Sequence, residues 1–336
     1  CFPRVFVIHR YIIIILIYLY MNLNLWINTI KNIKNRFKNT KFHYKYVNTV
    51  IITRKCIDDN FNFASKKIID HIYSKKSLKF YQIFYDDVII HLFTPNIDQK
   101  IKEILFRYFV IGNFFKEIYD IEILSKVKLF LILSPHKKYF PKKSKNQITF
   151  NMDMINSAQC LPTKSITIFR NEECLKTIIH EYVHLINFDY HLRYIPLKNI
   201  NVNHDVFMSE SVAEFFAVII NSVLNNPKNP ISSIKKEQQF SIRQSSIILY
   251  LSNGITYEEL FNMSSKKYIS EKTNATAYYI IKTILLLNIE KTIEHLPHIE
   301  HIIHDLIKST KLTKIINKSN IKLLANKRYS ARMTIT

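Results

Sequence analysis

Apolar positions along this chain recur with two periods. Tyr81–Tyr85 (YQIFY), Val88–Phe93 (VIIHLF), Lys126–Leu133 with its LFLIL run, Ile148–Ile155 and Ser165–Phe169 (SITIF) are short runs rich in β-branched and aromatic residues, so they predict strands. Asp98–Phe109, Asn171–Asp189, Phe207–Ala217, Ser232–Leu251 and Thr273–Leu287 repeat apolar residues at helical spacing. Strand patterns crowd the first half, and the chain turns helical after Asn225-Asn226-Pro227, with Gly254 breaking between the last two helices. The expected architecture is α+β, with an α/β N-terminal lobe and a mostly helical C-terminal lobe. Three segments follow: a hydrophobic then basic stretch over 1–45, an α/β lobe with the chemical core over 46–225, and a helical lobe with a basic tail over 226–336.

The stretch Asn171–Asp189 (NEECLKTIIHEYVHLINFD) holds the densest chemistry. On a helix, His180 and His184 stand one turn apart on the same face, the spacing at which two imidazoles grip one Zn²⁺. Glu181 sits beside them, placed to reach a water there without being a ligand. Asn171 is the expected cap, and Glu172 and Glu173 suit the positive end of the helix dipole. Leu175, Ile178, Ile179, Tyr182, Val183 and Ile186 give the broad apolar coverage of a buried helix. Polar groups sunk into such surroundings need compensation, and a metal supplies it. The plainer alternative is two satisfied core histidines and a surface glutamate.

A catalytic zinc site takes three protein ligands and keeps a fourth position open. Phe207–Ala217 (FMSESVAEFFA) reads as a second helix with Glu210 and Glu214 on one face. Here the sequence resembles the gluzincins, zincin-like metallopeptidases in which H-E-x-x-H is followed by a helix of the form W-L-N/S-E-G-x-A-E-Y. The resemblance covers Ser165 to about Ala217, with Ser211 where the family has Gly. It implies Glu210 as third zinc ligand, and Glu214 as the group that orients a ligating histidine. It also implies a zincin-like core, Glu181 as general base, and a tyrosine donating to the oxyanion. Tyr278 and Tyr279 stand at about the family's distance downstream, and either fits, as does an aromatic pair that only packs a helix; His204 is another candidate for the oxyanion. Glu210 follows His184 by 26 residues, a longer connection than the commonest family spacing, so Asp189, His191, His204 and Glu214 remain alternative ligands. In the zincin-like fold a strand just before the active helix lines the cleft, and Asn156, Ser157 and Gln159 are placed to add polar contacts there.

Charge and composition change this picture little. Net charge is +22, which suits a nucleic-acid or anionic-membrane partner. Yet Lys, Asn and Ile are enriched together, as an AT-rich genome (viral or microbial) produces, and no basic run interleaved with aromatics is visible. The expected partner is a peptide or protein substrate, with no nucleic acid. Two rivals stand beside the peptidase: a catalytically inactive zincin-like interaction protein, and a basic nucleic-acid-binding protein in which the motif is coincidence. The four cysteines have neither metal-type nor framework spacing, which fits a reducing, cytoplasmic setting. Tyr11–Tyr20 (YIIIILIYLY) resembles a signal peptide or anchor, but Met21 is the first methionine, so an upstream extension of the reading frame is the other explanation. Membrane association is expected only if residues 11–27 are genuine and retained. Lys31–Lys45 is expected as a surface helix or mobile arm, His295, His298, His301 and His304 as a polar helix face, and residues from Lys308 onward as a partly mobile tail.

Overall fold

The structure is a computed structural model; it describes residues 22–38, 40–143, 146–308 and 329–335. The apolar run at 11–20 lies outside the described residues. Asn22 caps the first helix, α1 (Leu23–Phe37), by accepting from the Leu25 N–H, and the stripe Trp26, Ile30, Ile33 and Phe37 is buried. Trp26 stacks on Phe216 with ring centroids 4.8 Å apart. The segment expected as a surface helix or arm is therefore the end of a core helix followed by β1 (His43–Ile51). Spacings of four, three and four between those apolar residues carry the stripe through an Asn- and Lys-rich sequence.

α2 (Arg54–Asn60) and α3 (Lys66–Ser74) precede the hairpin β2 (Ser77–Tyr85) and β3 (Val88–Thr94), the long helix α4 (Gln99–Tyr119) and β4 (Val127–Ser134). Asp98 caps α4, which runs ten residues beyond the predicted Phe109. Ile148–Ile155 is not one strand. It splits into β5 (Thr149–Phe150) and a single helical turn, α5 (Met152–Ile155), after Asn151. Then come β6 (Ala158–Leu161), β7 (Ser165–Arg170), α6 (Cys174–Leu185), α7 (Ser209–Asn225), α8 (Pro230–Leu251), α9 (Tyr257–Leu260) and β8 (Ser270–Glu271). A π-helical segment, Ala277–Ile281, leads into α10 (Lys282–Leu287), α11 (Ile289–Glu294) and α12 (Ile299–Ile307).

The main sheet has the order β1-β2-β3-β4-β7-β6. β1 and β2 pair antiparallel, as do β2 and β3; β3, β4 and β7 run parallel, and β6 returns antiparallel on the edge. The fold is α+β. One sheet face packs against α1, α4, α6 and α7 in a core that runs from Leu23 to Met333, so the segments 46–225 and 226–336 share it. On the other face α2 and α3 bring Phe61, Ile68 and Ile72 onto Phe130 and Ile132, a smaller second core. The described end of the tail is held rather than mobile: the Met333 and Thr334 N–H groups donate to Glu173, and Tyr279 donates to the Ala331 carbonyl. Among the described residues no helix is long and apolar enough to cross a membrane.

Gly112 sets how closely α4 approaches α6. A Cβ there would lie 2.9 Å from the Tyr182 hydroxyl and 3.0 Å from Ile123. Tyr182 is fully buried, with its ring against Tyr108 and Phe115, so it has little room to yield. Gly112→Ala is expected to lower stability by about 1–2 kcal/mol, because overpacking outweighs the gain in helix propensity. Urea unfolding measures it, and a midpoint at or above wild type would contradict this packing.

Candidate metal centre

α6 runs from β7 into the centre of the molecule. Its N-cap is Glu173, in the left-handed region at φ 62°, not Asn171. Nor do the two glutamates serve the helix dipole. Glu172 accepts from the Lys138 N–H, while Glu173 meets the Lys138 ammonium at 2.6 Å, both side chains almost fully buried. His180, Glu181 and His184 are 5%, 7% and 8% exposed, so Glu181 is no surface glutamate. Two turns of one helix thus bury three polar side chains, which requires compensation.

α7 supplies it. Glu210 is its second residue, and one Glu210 oxygen lies 3.1 Å from His180 Nε2 and 3.2 Å from His184 Nε2. The two Nε2 atoms are themselves 3.1 Å apart. Ser211, where a glycine was expected, fits without strain, its hydroxyl donating to the Met208 carbonyl inside the helix start. One turn on, Glu214 contacts His180 Nδ1 at 2.9 Å and is ion-paired with buried Lys176. Asp189 does for His184 what Glu214 does for His180, at 2.8 Å from Nδ1, and is itself gripped by Arg193 at 3.0 and 3.1 Å. Asp189 thus meets the ring nitrogen of His184 that faces away from Glu210, outside the group that could hold an ion.

Both Nδ1 atoms face carboxylates, which fixes the Nδ1–H tautomer and leaves both Nε2 lone pairs aimed at one point beside a Glu210 oxygen. Three lone-pair donors that close repel one another unless a cation or a shared proton lies between them. His180, His184 and Glu210 can hold a metal ion. Without one, burial pulls the His184 imidazole down, but Glu210 and Asp189 overcome it and hold its pKa well above the ordinary value. Burial pushes Glu210 up, and the two imidazoles more than reverse that. Glu181 is raised: burial dominates over the neighbouring imidazoles, and no hydrogen bond of the cluster ends on it.

The cluster opens into a cavity of about 510 Å³ lined by α6, α7, β6 and Tyr278. Tyr278 and Tyr279 part here. The Tyr278 hydroxyl donates to Glu210 at 2.8 Å, while Tyr279 turns into the core and is not a site residue. His204 lines the cavity with Nε2 at 3.4 Å from Glu271, a buried carboxyl that burial pushes up to about 8. His191 is exposed outside the cavity. The cavity-lining edge strand is β6, which the sequence reading missed because four residues of mixed polarity carry no period. β7, the strand it did find, is buried along its whole length. Asn156, Ser157 and Gln159 do line the cavity, but Asn156 accepts from Thr273 and Gln159 from the Phe63 N–H. A second group, His298, Glu300 and His301, converges on the surface around the start of α12 and lines no part of the cavity.

No family model matches the chain, and no solved structure matches it. The chain is 31% identical over 151 residues to a protein of Acanthamoeba polyphaga mimivirus named "Uncharacterized protein R210". That match covers 40% of this chain and 39% of the length of the viral protein.

Two buried cations, Lys138 and Lys176, reach the cavity wall and are ion-paired with Glu173 and Glu214. Burial lowers the pKa of Lys138, and Glu173 opposes it. Lys138→Met would leave Glu173 buried with the Met333 and Thr334 N–H groups and the more distant Lys176 charge, and without its direct ion-pair partner. A loss of about 3–5 kcal/mol is expected, since removing one partner of a buried pair exposes the other to an uncompensated environment. Thermal unfolding monitors this, and an unchanged midpoint would show that the pair stabilises nothing.

Proposed function

We propose that this chain is a zinc metallopeptidase of the gluzincin type, hydrolysing peptide bonds in a peptide or protein substrate. The observation that carries the reading is the convergence of two Nδ1-anchored imidazoles and Glu210 on one point, with Glu181 beside it in an open cavity. A tetrahedral centre with bonds near 2.1 Å separates its donors by roughly 3.4 Å, close to the spacing found here, and nitrogen–oxygen donor sets of this kind suit zinc. When bound, the ion supplies the Lewis acid that acidifies a water and polarises the scissile carbonyl.

The chain's own residues do the rest. Glu181 takes the proton of the attacking water and returns it to the leaving amine. The Tyr278 hydroxyl, now donating to Glu210, swings to the developing oxyanion, and His204 is within the same cavity to assist. Glu214 and Asp189 keep both imidazoles in the ligating tautomer. β6 ends the sheet with its outer edge towards the cleft, so an extended peptide can add to it by main-chain hydrogen bonds. The free thiols of Cys56, Cys160 and Cys174 support a reducing, cytoplasmic setting.

The test is elemental analysis of protein purified without a metal-affinity tag, paired with mass-spectrometric cleavage of a denatured-protein mixture. About one zinc per chain and chelator-sensitive cleavage are expected. A zinc-loaded protein that cleaves nothing would leave a metal-binding protein and end the peptidase reading.

A further inference from the structure

Among the described residues the sheet face shared with α2 and α3 is only half covered, and strand register arranges its open half in rows. Lys45, Gln82, His91 and Lys128 lie side by side across β1, β2, β3 and β4. One row towards the open end stand His43, Phe84 and Ile89. One row the other way Phe80 stacks on Phe93 at 4.8 Å, and Phe93 on Phe130 at 4.6 Å, where the second core begins. Lys45, Lys126 and Lys128 are exposed, while Phe80, Phe84 and His91 are half-buried. No acidic residue occupies these rows; Asp86 and Asp87 sit in the β2–β3 turn. Burial, then Lys128 and Lys126, depress the His91 imidazole, and no acid counters them.

The surrounding segment is basic beyond the chain's average. Residues 41–80 hold nine Lys or Arg and three Asp, a net of +6 in forty residues, against +22 for all 336. Of these nine, strand register sets Lys45 on the open face, where Lys128 of β4 joins it beside the aromatic rings.

We propose that this open face of β1–β4 binds single-stranded nucleic acid. Half-exposed rings on a sheet give unpaired bases a stacking surface, and flanking lysines meet the phosphates. Lys45 and Lys128 stand three strand spacings apart, roughly 14 Å. That span accommodates about two or three bases. A duplex keeps its bases stacked inside and gains only the charge contacts. The surface lies outside the metal centre and works whether or not that centre is catalytic.

Fluorescence anisotropy of a labelled oligo(dT) of about 15 nucleotides, with the full chain at about 50 mM salt, tests this. Binding is expected to survive chelation and to exceed that of a duplex with the same number of phosphates. Lys45→Glu with Lys128→Glu should weaken it at least about tenfold and flatten the log-salt slope by about 1.4, at about 0.7 per phosphate contact. The same charge reversal at exposed Lys235 and Lys236 on α8 should cost under about twofold. Phe84→Ala should weaken single-strand binding at least about fivefold with the slope unchanged. No binding by wild type, equal losses from the two charge reversals, an inert Phe84→Ala, or binding to phosphatidylserine vesicles but not to the oligonucleotide would each overturn the proposal.

Discussion

As general base of the proposed zinc peptidase, Glu181 changed to Gln is expected to leave metal binding and fold intact and to lower peptide hydrolysis by about a thousandfold, within the range that positioned general acid–base groups contribute. The amide has nearly the same shape, so the cavity wall is preserved. It cannot accept the proton, and that alone removes the chemistry. The two effects separate because Glu181 makes none of the contacts holding the cluster: those run from His180 and His184 to Glu210, Glu214 and Asp189. The comparison needs kcat, KM and zinc content on one preparation. A fall in kcat with KM and zinc unchanged supports the role. Loss of zinc together with activity would instead make Glu181 part of the metal support, and full activity would remove the proposed mechanism.

His184→Ala is expected to abolish the proposed zinc binding. It removes one of three donors and leaves Asp189 facing a gap, although Arg193 still holds that carboxylate at 3.0 and 3.1 Å. Zinc affinity should fall by more than about a hundredfold, beyond the roughly tenfold to hundredfold typical of losing a group that only orients a ligand. Wild type should gain about 2.7 kcal/mol of stability when free zinc is at 100 times its dissociation constant, and at the same zinc the variant should gain under about 0.4 kcal/mol. Thermal midpoints with and without added zinc read this directly. An equal zinc-dependent rise in the variant would place the tight site elsewhere, with the surface group around His298 and His301 the first place to look.

What was legible in the sequence was local. His180 and His184 share a face because a helix brings residues four apart together, and Glu210 and Glu214 do so for the same reason. Strand patterns at 81–85, 88–93, 126–133 and 165–169 each found a strand, since half-buried and buried strands impose their own period or run. The stripe Trp26, Ile30, Ile33 and Phe37 was equally local, but the high Lys and Asn content around it obscured its burial.

Only the tertiary structure decided what crosses between elements. Asn171 yields the cap position because the buried Lys138–Glu173 pair, formed across 35 residues of chain, fixes Glu173 there instead. Along the chain Asp189 reads as one more candidate ligand; in the fold Arg193 and His184 hold it from two sides. Neighbouring residues of a helix point in different directions, so only one of Tyr278 and Tyr279 can face the cavity. The choice follows from how the π-helical segment docks on α7 and α8, which no count along the chain contains. The same holds for the lysine and phenylalanine rows of the open sheet face, where partners are up to 83 positions apart and strand register alone aligns them. Sequence determines which side chains share a helix face or a strand face; the packing of those faces decides which of them meet.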